Sequence, residues 1–461
     1  MPQANMSENT IKDKFTIIFW WIVILYLDPG GLLDTNFRGP LLYLSQNFIL
    51  SFILLYLYKR KNNESNMYLL SERSIRFYIY IMIIWNIYYS LWFYGLNNLY
   101  YPGFLQVFTH NARMIGQGLL VIPIIYFTVS SSDYFLEKTS VITIIVLVLF
   151  FISAYTPFKI LEVFVYDRGF MSKDRFFLYG IGLIYFSLPI FISYFVLSFK
   201  RNYKIVFAGL LVVVYIFITV TRRDIIGILE YLIIISILIG LSSKILFLQK
   251  TFYFFRLKYI YIYLFLIISA YIINSKAVSS IEDNIVVSFR TLVGLESYGT
   301  KDDMRLSFTE NYRITNAIQN NLWGGTGFDP AWMNSEGGDY GWEGADFVFL
   351  SCFAMYGIVG LLIFFPFYFV VLYGIISGIK MIRNNWDILS MNKVKFNTLL
   401  ILFFASSSEF IKNIIEYPNW FIPIGMLNGT QLYFIYLGLL YGSYYGIRNE
   451  INKLNIKSYE N

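Results

Sequence analysis

The chain has 461 residues, of which 57% are hydrophobic and only 14% are charged. This composition is too apolar for a soluble globular protein, so it predicts an integral membrane protein. The net charge of +7 does not indicate a nucleic-acid partner, because most Lys and Arg residues fall in short turns between apolar runs, where they orient helices in a membrane.

The single cysteine and the single histidine limit the chemistry that the chain can carry. Cys352 lies in an apolar run, and one cysteine can form neither an intramolecular disulfide nor a thiolate cluster. His110 alone cannot make a His-rich metal site, and we interpret it as a hydrogen-bonded imidazole inside a helix bundle. We therefore expect neither a metal nor a cofactor.

Apolar runs of about 17 to 25 residues predict an all-α, polytopic membrane protein with about twelve transmembrane helices. The predicted spans are Phe15–Leu33, Pro40–Tyr58, Phe77–Gly95, Leu105–Val129, Thr139–Pro157, Phe176–Phe199, Tyr203–Val220, Ile225–Leu241, Tyr259–Ile273, Ala345–Gly378, Phe396–Phe410 and Gly429–Tyr445. The first run follows Lys12 and Lys14 and lacks a small-residue cleavage site, so we expect it to be retained. No internal repeat divides the pattern, and residues 1–461 are predicted to form a single domain.

Basic residues mark alternate turns between these spans. They cluster after the second, sixth, eighth and tenth spans, at Lys59–Lys61, Lys200–Lys204, Lys244–Lys258 and Lys380–Lys395. An excess of Lys and Arg marks the cytoplasmic side of a bacterial inner-membrane protein. The pattern therefore predicts cytoplasmic termini and a large extracytoplasmic loop, 274–344, between the ninth and tenth spans. Loops of this length are usually functional.

Arginines inside or beside the spans are the first candidates for a site, because charges in a membrane are costly. Arg113, in the fourth span, is expected to pair with a carboxylate or a lipid phosphate, unless it snorkels from near a helix end. Arg222 and Arg223 follow the seventh span on the outer side. Their guanidinium groups can bind phosphate oxygens bidentately, and the alternative is a structural ion pair.

The outer end of the eleventh span carries another polar group, which begins with Ser406, Ser407 and Ser408. The charged residues Glu409, Lys412 and Glu416 follow at spacings that put them on one helix face. This spacing predicts mutual salt bridges, and it leaves a minor role in the site open.

The loop 274–344 contains an amphipathic helix and a glycine turn. Arg305 and Arg313 recur at near-helical spacing opposite apolar residues, which predicts a helix with a basic face over 305–320. Glycines stop this helix and permit a tight turn at Asn320–Gly327. Aromatic residues of the loop can stack on sugar rings or lie in the interfacial belt of the membrane; they include Trp323, Trp332, Tyr340 and Trp342.

The order of these motifs resembles the O-antigen ligase and polymerase superfamily. Thr221–Arg223 is similar to the arginine element that follows the seventh span in that family, and Arg305 falls near its loop arginine. Asn320–Gly327 resembles its NPLxGxG turn, with Asn321 where proline is usual. The resemblance covers residues 222–360, and the N-terminal half matches only in hydropathy.

The last motif of the family is a polar residue ahead of a GxxG pair at the tenth span. Here the polar residue is Asp346 and the pair is Gly357 and Gly360, which we read as a close helix-packing contact. The ligases carry a His-Asn pair at the position of Asp346, whereas the only histidine of this chain is His110. The resemblance therefore favours the polymerase branch.

The resemblance implies a glycosyltransferase that polymerises a surface polysaccharide, such as the O-antigen of lipopolysaccharide. Its membrane fold would be similar to that of the glycosyltransferase C class. Its substrates would be undecaprenyl-pyrophosphate-linked oligosaccharides at the periplasmic face, without a metal. Membrane lipids and a chain-length regulator are the other expected partners.

Roles for the candidate residues follow from this reaction. Arginines aimed at the leaving pyrophosphate would stabilise the transition state more than the ground state; the candidates are Arg222, Arg223, Arg305, Arg313 and Arg113. Glu343 or Asp346 is the candidate general base. An O-antigen ligase and a flippase for lipid-linked oligosaccharides are the alternatives, although a transporter often has related halves, which this sequence lacks.

Overall fold

A computed structural model describes most of the predicted helical core. The described residues are 15–24, 27, 51, 53–55, 58, 73–96, 118–155, 165–167, 176–178, 182–197, 202–219, 222–243, 322–323, 348–416 and 429–460. The elements with defined bounds are the helices α1 (Phe15–Ile24), α2 (Arg73–Leu96), α3 (Val121–Tyr155), α4 (Gly182–Leu197), α5 (Tyr203–Thr219), α6 (Arg222–Ser242), α7 (Val348–Asn384), α8 (Trp386–Met391), α9 (Lys393–Glu416) and α10 (Gly429–Glu460), and the strands β1 (Val165–Asp167) and β2 (Phe176–Leu178).

The described chain is almost entirely helical, as predicted. Three of its helical segments are long and apolar enough to cross a membrane, namely Val121–Ala154, Phe365–Asn384 and Val394–Ile414. Shorter apolar helices lie in α1, α4, α5 and α6. The all-α membrane class is therefore borne out, while the number of twelve spans stays a prediction. The loop 274–344 lies outside the described residues except for Leu322 and Trp323.

Large apolar side chains are exposed along the outward faces of α2 and α7. On α7, Phe365, Phe369, Tyr373 and Ile376 recur every three or four residues and are 45% to 62% exposed. On α2, Tyr80 and its neighbours form a similar stripe. Contiguous apolar faces of this kind are unfavourable in water, and hydrocarbon tails are the natural cover for them in a membrane protein.

Helix α3 joins two stretches that the sequence analysis assigned to separate spans. The predicted fourth span ended at Val129 and the fifth began at Thr139, with a charged turn between them. In the structure the residues of this stretch are helical, except that the backbone leaves helical geometry at Ser131 (φ −153°, ψ 31°), where two helical segments meet at a kink. The predicted turn is therefore wrong as a loop, while a break between two helical segments is present at Ser131.

A run of serines explains the kink in α3. The Ser130 hydroxyl donates to the Tyr126 carbonyl at 3.3 Å, and the Ser131 hydroxyl donates to the Phe127 carbonyl at 2.7 Å. Hydroxyl groups that bond back to the preceding turn bend helices. Trp20 of α1 also contacts the kink, because its Nε1 donates to Ser131 Oγ at 2.8 Å.

The predicted sixth span, Phe176–Phe199, is shorter in the structure. Its first residues form β2, which pairs antiparallel with β1, and Tyr166 stands opposite Phe177. The helix α4 begins only at Gly182. Aromatic residues favour strands, and Gly180 and Gly182 disfavour a helix that would run through them.

Helix α10 packs against α3, α9 and α7, and three glycines allow its close approach. A Cβ atom on Gly438 would stand 2.5 Å from Ile124 Cγ2, and one on Gly442 would stand 2.6 Å from Thr128 Cβ. A Cβ atom on Gly446 would stand 2.9 Å from Leu399. The three glycines recur every four residues, so they share one face, and small residues let helix backbones pack tightly in membranes. The sequence analysis did not single out this visible spacing.

We expect Gly438→Ala to destabilise the protein by about 1–3 kcal/mol, the usual cost of overpacking a tight interface. Ile124 is fully buried and β-branched, so its rotamer cannot change freely within α3. Thermal unfolding of the purified protein in detergent would measure the effect. Asn452→Ala, at an exposed position of α10, is the control. Unfolding of Gly438→Ala at the wild-type temperature would contradict this account of the interface.

Two contacts join helix ends that the basic-residue pattern assigns to the cytoplasmic side. They are a hydrogen bond between Ser74 and Tyr445 at 3.2 Å and the ion pair between Lys395 and Glu450. Each contact connects residues that the topology prediction placed on the same side. The contacts agree with the predicted alternation, although the identity of that side stays a prediction.

Glu450 accepts hydrogen bonds from two lysines. Lys395 reaches it from α9, and Lys453 Nζ lies 2.7 Å from its Oε1 on the same helix. Burial alone raises the pKa of Glu450, but the hydrogen bonds and charges of Lys395 and Lys453 outweigh burial, so the pKa lies below its usual value. The contacts of Glu450 with the two lysines therefore stabilise the folded protein at pH values above the unfolded-state pKa of Glu450. This stabilisation is lost as the pH falls through the folded-state pKa.

Candidate functional site

Most of the residues that the sequence analysis selected lie outside the described ranges. These residues are Arg113, Arg305, Arg313, Trp332, Tyr340, Trp342, Glu343 and Asp346. Their positions stay predictions. Trp323 is described with its side chain, whereas Arg222 and Arg223 are described through their place in the secondary structure.

Arg222 and Arg223 open helix α6. The sequence analysis placed them between two spans, and the structure puts them in the first turn of the second one, because α5 ends at Thr219 and α6 begins at Arg222. The first turn of a helix has N–H groups without helical partners and a partial positive charge. The backbone at this point therefore favours an anion in the same way as the two guanidinium groups.

Two motifs that are distant in the sequence meet through their backbones. The Ile358 N–H donates to the Leu322 carbonyl at 3.0 Å, and the Val359 N–H donates to the Trp323 carbonyl at 3.0 Å. Leu322 and Trp323 belong to the glycine turn of the outer loop, and Ile358 and Val359 follow Gly357 in α7. We call this pairing the turn–helix junction.

The turn–helix junction depends on the backbone of Gly357. Its φ of 60° and ψ of −172° interrupt α7 in a region of conformational space that is essentially limited to glycine. The interruption frees the N–H groups of Ile358 and Val359 from the helical ladder, which lets them bind the turn. The sequence predicts a helix-packing contact for Gly357, and the structure adds this backbone role.

Trp323 presents its side chain beside the junction. The residue is 63% exposed, while its carbonyl is fixed by Val359. An indole that is exposed and anchored can stack on a sugar ring or lie in the interfacial belt, and both readings stay open.

A polar network connects α6 and α9 inside the helix bundle. Lys412 Nζ lies 3.6 Å from Glu230 Oε2 and 5.2 Å from the centre of the Tyr231 ring. Glu409 is only 5% exposed and accepts hydrogen bonds from the Tyr231 hydroxyl and from Asn413 Nδ2, the latter at 2.8 Å. We call these five residues the α6–α9 network.

The α6–α9 network differs from the expectation for the eleventh span. The spacing of Glu409, Lys412 and Glu416 predicted salt bridges along one helix, whereas Lys412 and Glu409 both reach partners on α6. Helical spacing alone cannot reveal such pairs, because the sequence does not say which helices are neighbours. The polar pair Glu230 and Tyr231 was missed for this reason.

Gly227 lies beside Lys412 at the contact between α6 and α9. A Cβ atom at this position would stand 3.4 Å from Lys412 Cε and 3.5 Å from its Nζ, which is ordinary van der Waals contact. Arg223, Gly227 and Glu230 are spaced by four and three residues, so they occupy one face of α6. The arginine position thus lies on the helix face that meets Lys412, nearer to the N terminus.

Two of the serines before Glu409 carry unsatisfied hydroxyl groups. Ser406 and Ser407 are fully buried, and neither hydroxyl has a hydrogen-bond partner among the described residues. The next serine, Ser408, bonds back to the Ala405 carbonyl at 2.8 Å. Unpaired buried hydroxyl groups are costly, so Ser406 and Ser407 reduce the stability of the packing around α9.

Comparisons with known proteins place no relative beside this chain. No family model matches it, and no curated protein or solved structure gives a significant match. The described residues also contain no cluster of three His, Cys, Asp or Glu side chains that could hold a metal ion.

Proposed function

We propose that the protein is a surface-polysaccharide polymerase of the O-antigen type. It transfers a growing glycan from undecaprenyl pyrophosphate to a lipid-linked repeat unit at the periplasmic face of the bacterial inner membrane. The turn–helix junction carries the proposal. It pairs the glycine turn with the glycine motif of α7, and these are two of the short motifs on which the resemblance to the O-antigen superfamily rests.

The reaction breaks the bond between the anomeric carbon of the donor glycan and the pyrophosphate oxygen. A hydroxyl oxygen of the acceptor forms the new bond to that carbon, and the electron pair of the broken bond leaves with the pyrophosphate. Arg222 and Arg223, at the positive end of α6, are the groups that we assign to the leaving pyrophosphate. We assign the same role, binding of the pyrophosphate, to three arginines from other segments, namely Arg305, Arg313 and Arg113.

The acceptor hydroxyl loses a proton during the transfer. We assign its removal to Glu343 or Asp346, which directly precede α7, because a carboxylate within hydrogen-bond reach can act as general base. Sugar rings would be held by stacking on the aromatic residues of the loop, namely Trp323, Trp332, Tyr340 and Trp342. Trp323 supports this assignment, since it is exposed next to the junction.

A flippase for lipid-linked oligosaccharides is the second candidate. The α6–α9 network favours it, because buried charged residues between membrane helices often mark transport pathways. The turn–helix junction favours the polymerase, since alternating access does not require an outer loop to bond with a broken helix. A ligase is disfavoured by Asp346, which stands where the related ligases carry a His-Asn pair.

The glycan profile of cells that lack the protein separates these functions. For a polymerase, we expect long chains to disappear while a single repeat unit is still attached to its lipid anchor, because one unit needs no polymerisation. Electrophoresis of the extracted glycolipid before and after complementation measures the ladder. Loss of the single unit as well would indicate a ligase or a flippase and would contradict the proposal.

A further inference from the structure

The middle of α6 is held against α9 at two adjacent residues. Glu230 meets Lys412, and Tyr231 meets Glu409, so two neighbouring positions of α6 are each fixed by a different side chain of α9. Adjacent residues point about 100° apart around a helix of 3.6 residues per turn. Contacts in two directions fix the rotation of α6 about its axis as well as its distance from α9.

Arg223 lies two helical turns before Glu230, or about 10 Å along the axis at 1.5 Å per residue. A helix is stiff over this distance, so the rotation fixed at Glu230 is transmitted to the N-terminal turn. A small rotation would move a guanidinium group sideways relative to a ligand at the helix end. The orientation of α6 therefore decides where the arginines stand.

We propose that Glu230 and Lys412, supported by Tyr231 and Glu409, are positioning residues that set the orientation of Arg222 and Arg223 for pyrophosphate binding. The inference rests on the proposed function and adds the residues that act through the arginines. None of the four touches the reacting atoms in this assignment.

The chemistry of the network favours positioning over stability. Charged pairs inside a protein are often no more stabilising than apolar residues of the same size, and their attested use is to specify one arrangement. Membrane helices could pack α6 on α9 through apolar side chains alone. A network of directional contacts instead admits one register between the two helices.

The environment of Lys412 argues against a direct role as a phosphate ligand. Its side chain is only 12% exposed, its ammonium group stands over the Tyr231 ring, and its stem fits beside Gly227. These contacts hold the ammonium group of Lys412 at the interface between α6 and α9. Its effect on a ligand at the end of α6 is therefore expected to pass through the helix.

The test compares single variants with an exchange of the two charges. Lys412→Met keeps the length of the side chain and removes the charge, and Glu230→Gln keeps the shape. Lys412→Glu combined with Glu230→Lys restores an ion pair in reverse. Each protein is reconstituted in vesicles with lipid-linked repeat units extracted from cells that lack it, and elongation is followed as turnover and KM. Methylenediphosphonate, a soluble pyrophosphate mimic, provides a binding measurement that needs no turnover.

We expect each single variant to lose turnover by about 100-fold, the effect of a displacement of about 1 Å in a catalytic group. Binding of methylenediphosphonate should weaken in the same variants, because the arginines have moved. The charge exchange should recover most of both losses, since paired residues couple strongly in double-mutant cycles. Tyr231→Phe removes the hydroxyl and keeps the ring over Lys412, so its effect should be smaller.

Lys395→Met is the matched control, because Lys395 also pairs with a glutamate, Glu450, between α9 and α10. It should leave elongation and diphosphonate binding unchanged. The inference is overturned if Lys412→Met and Glu230→Gln behave like the wild type, if the charge exchange is as inactive as the single variants, or if the wild type binds no diphosphonate. Diphosphonate binding that depends on the pair in a wild type without elongation would instead refute the proposed function and keep the positioning role.

Discussion

A Gly357→Ala variant is expected to lose nearly all long-chain polymer while α7 itself remains helical. Alanine cannot hold φ at 60° and ψ at −172° without a cost of about 1–3 kcal/mol. The cheapest relief is a continuous helix, because alanine is the best helix former. The N–H groups of Ile358 and Val359 would then return to the helical ladder and release Leu322 and Trp323. The substitution would thus repair the helix and break the turn–helix junction.

Two measurements check this outcome at equal protein abundance. The glycan ladder reports activity, and limited proteolysis of the purified protein in detergent reports whether residues 274–344 have become easier to cleave. Ser377→Ala, farther along α7, is the control and should change neither. A Gly357→Ala protein with a full ladder and wild-type cleavage would show that the junction is dispensable.

Substitution of Arg222 and Arg223 should have an effect of similar size. We expect Ala at either position to reduce elongation by about 100- to 1,000-fold, the usual loss when one preorganised donor to a developing negative charge is removed. Lys should be impaired as well, although it keeps the charge, because an ammonium group cannot reproduce the planar, bidentate fork of a guanidinium. The same vesicle assay would give turnover for each variant.

Arg383→Ala is the control for this series, since Arg383 is an exposed arginine near the end of α7. It removes one positive charge without touching α6, so elongation should persist. If the Ala and Lys variants of both candidate arginines accumulated normally and kept full chain lengths, the pyrophosphate would have to be bound elsewhere in the protein.

The helical class of the chain could be predicted because it depends only on composition and on runs of apolar residues. Errors arose where local polar chemistry changes the backbone. Asp133 and its charged neighbours look like a loop in the sequence, but they are helical, and the break between the two helical segments is confined to Ser131, whose hydroxyl bonds back to Phe127. Phe176 was predicted to begin the sixth span, but it lies in β2. Gly180 and Gly182 disfavour a helix that would include it.

The candidate site was only partly predictable for a related reason. Arg222 and Arg223 stood out as charges at a helix end, and the glycine turn stood out by composition. The turn–helix junction could not be foreseen, because a bond between two backbones leaves no side-chain signature in either segment. The α6–α9 network needs knowledge of which helices are neighbours, so Glu230 could not be connected to Lys412 from spacing alone.

The kink in α3 bears on how the protein fits the thickness of its bilayer. The apolar stretch Val121–Ala154 has 34 residues, which corresponds to about 51 Å of straight helix, while a typical hydrocarbon core measures about 30 Å. A straight helix of that length would have to tilt steeply or thicken the surrounding lipid. The break at Ser131 divides it into a short arm and a long arm, and the apolar part of the long arm, which follows Lys138, is about 25 Å long and close to the thickness of that core. The two arms can take different angles to the membrane normal, and the hydrogen bond from Trp20 Nε1 to Ser131 Oγ lies at the point where they meet.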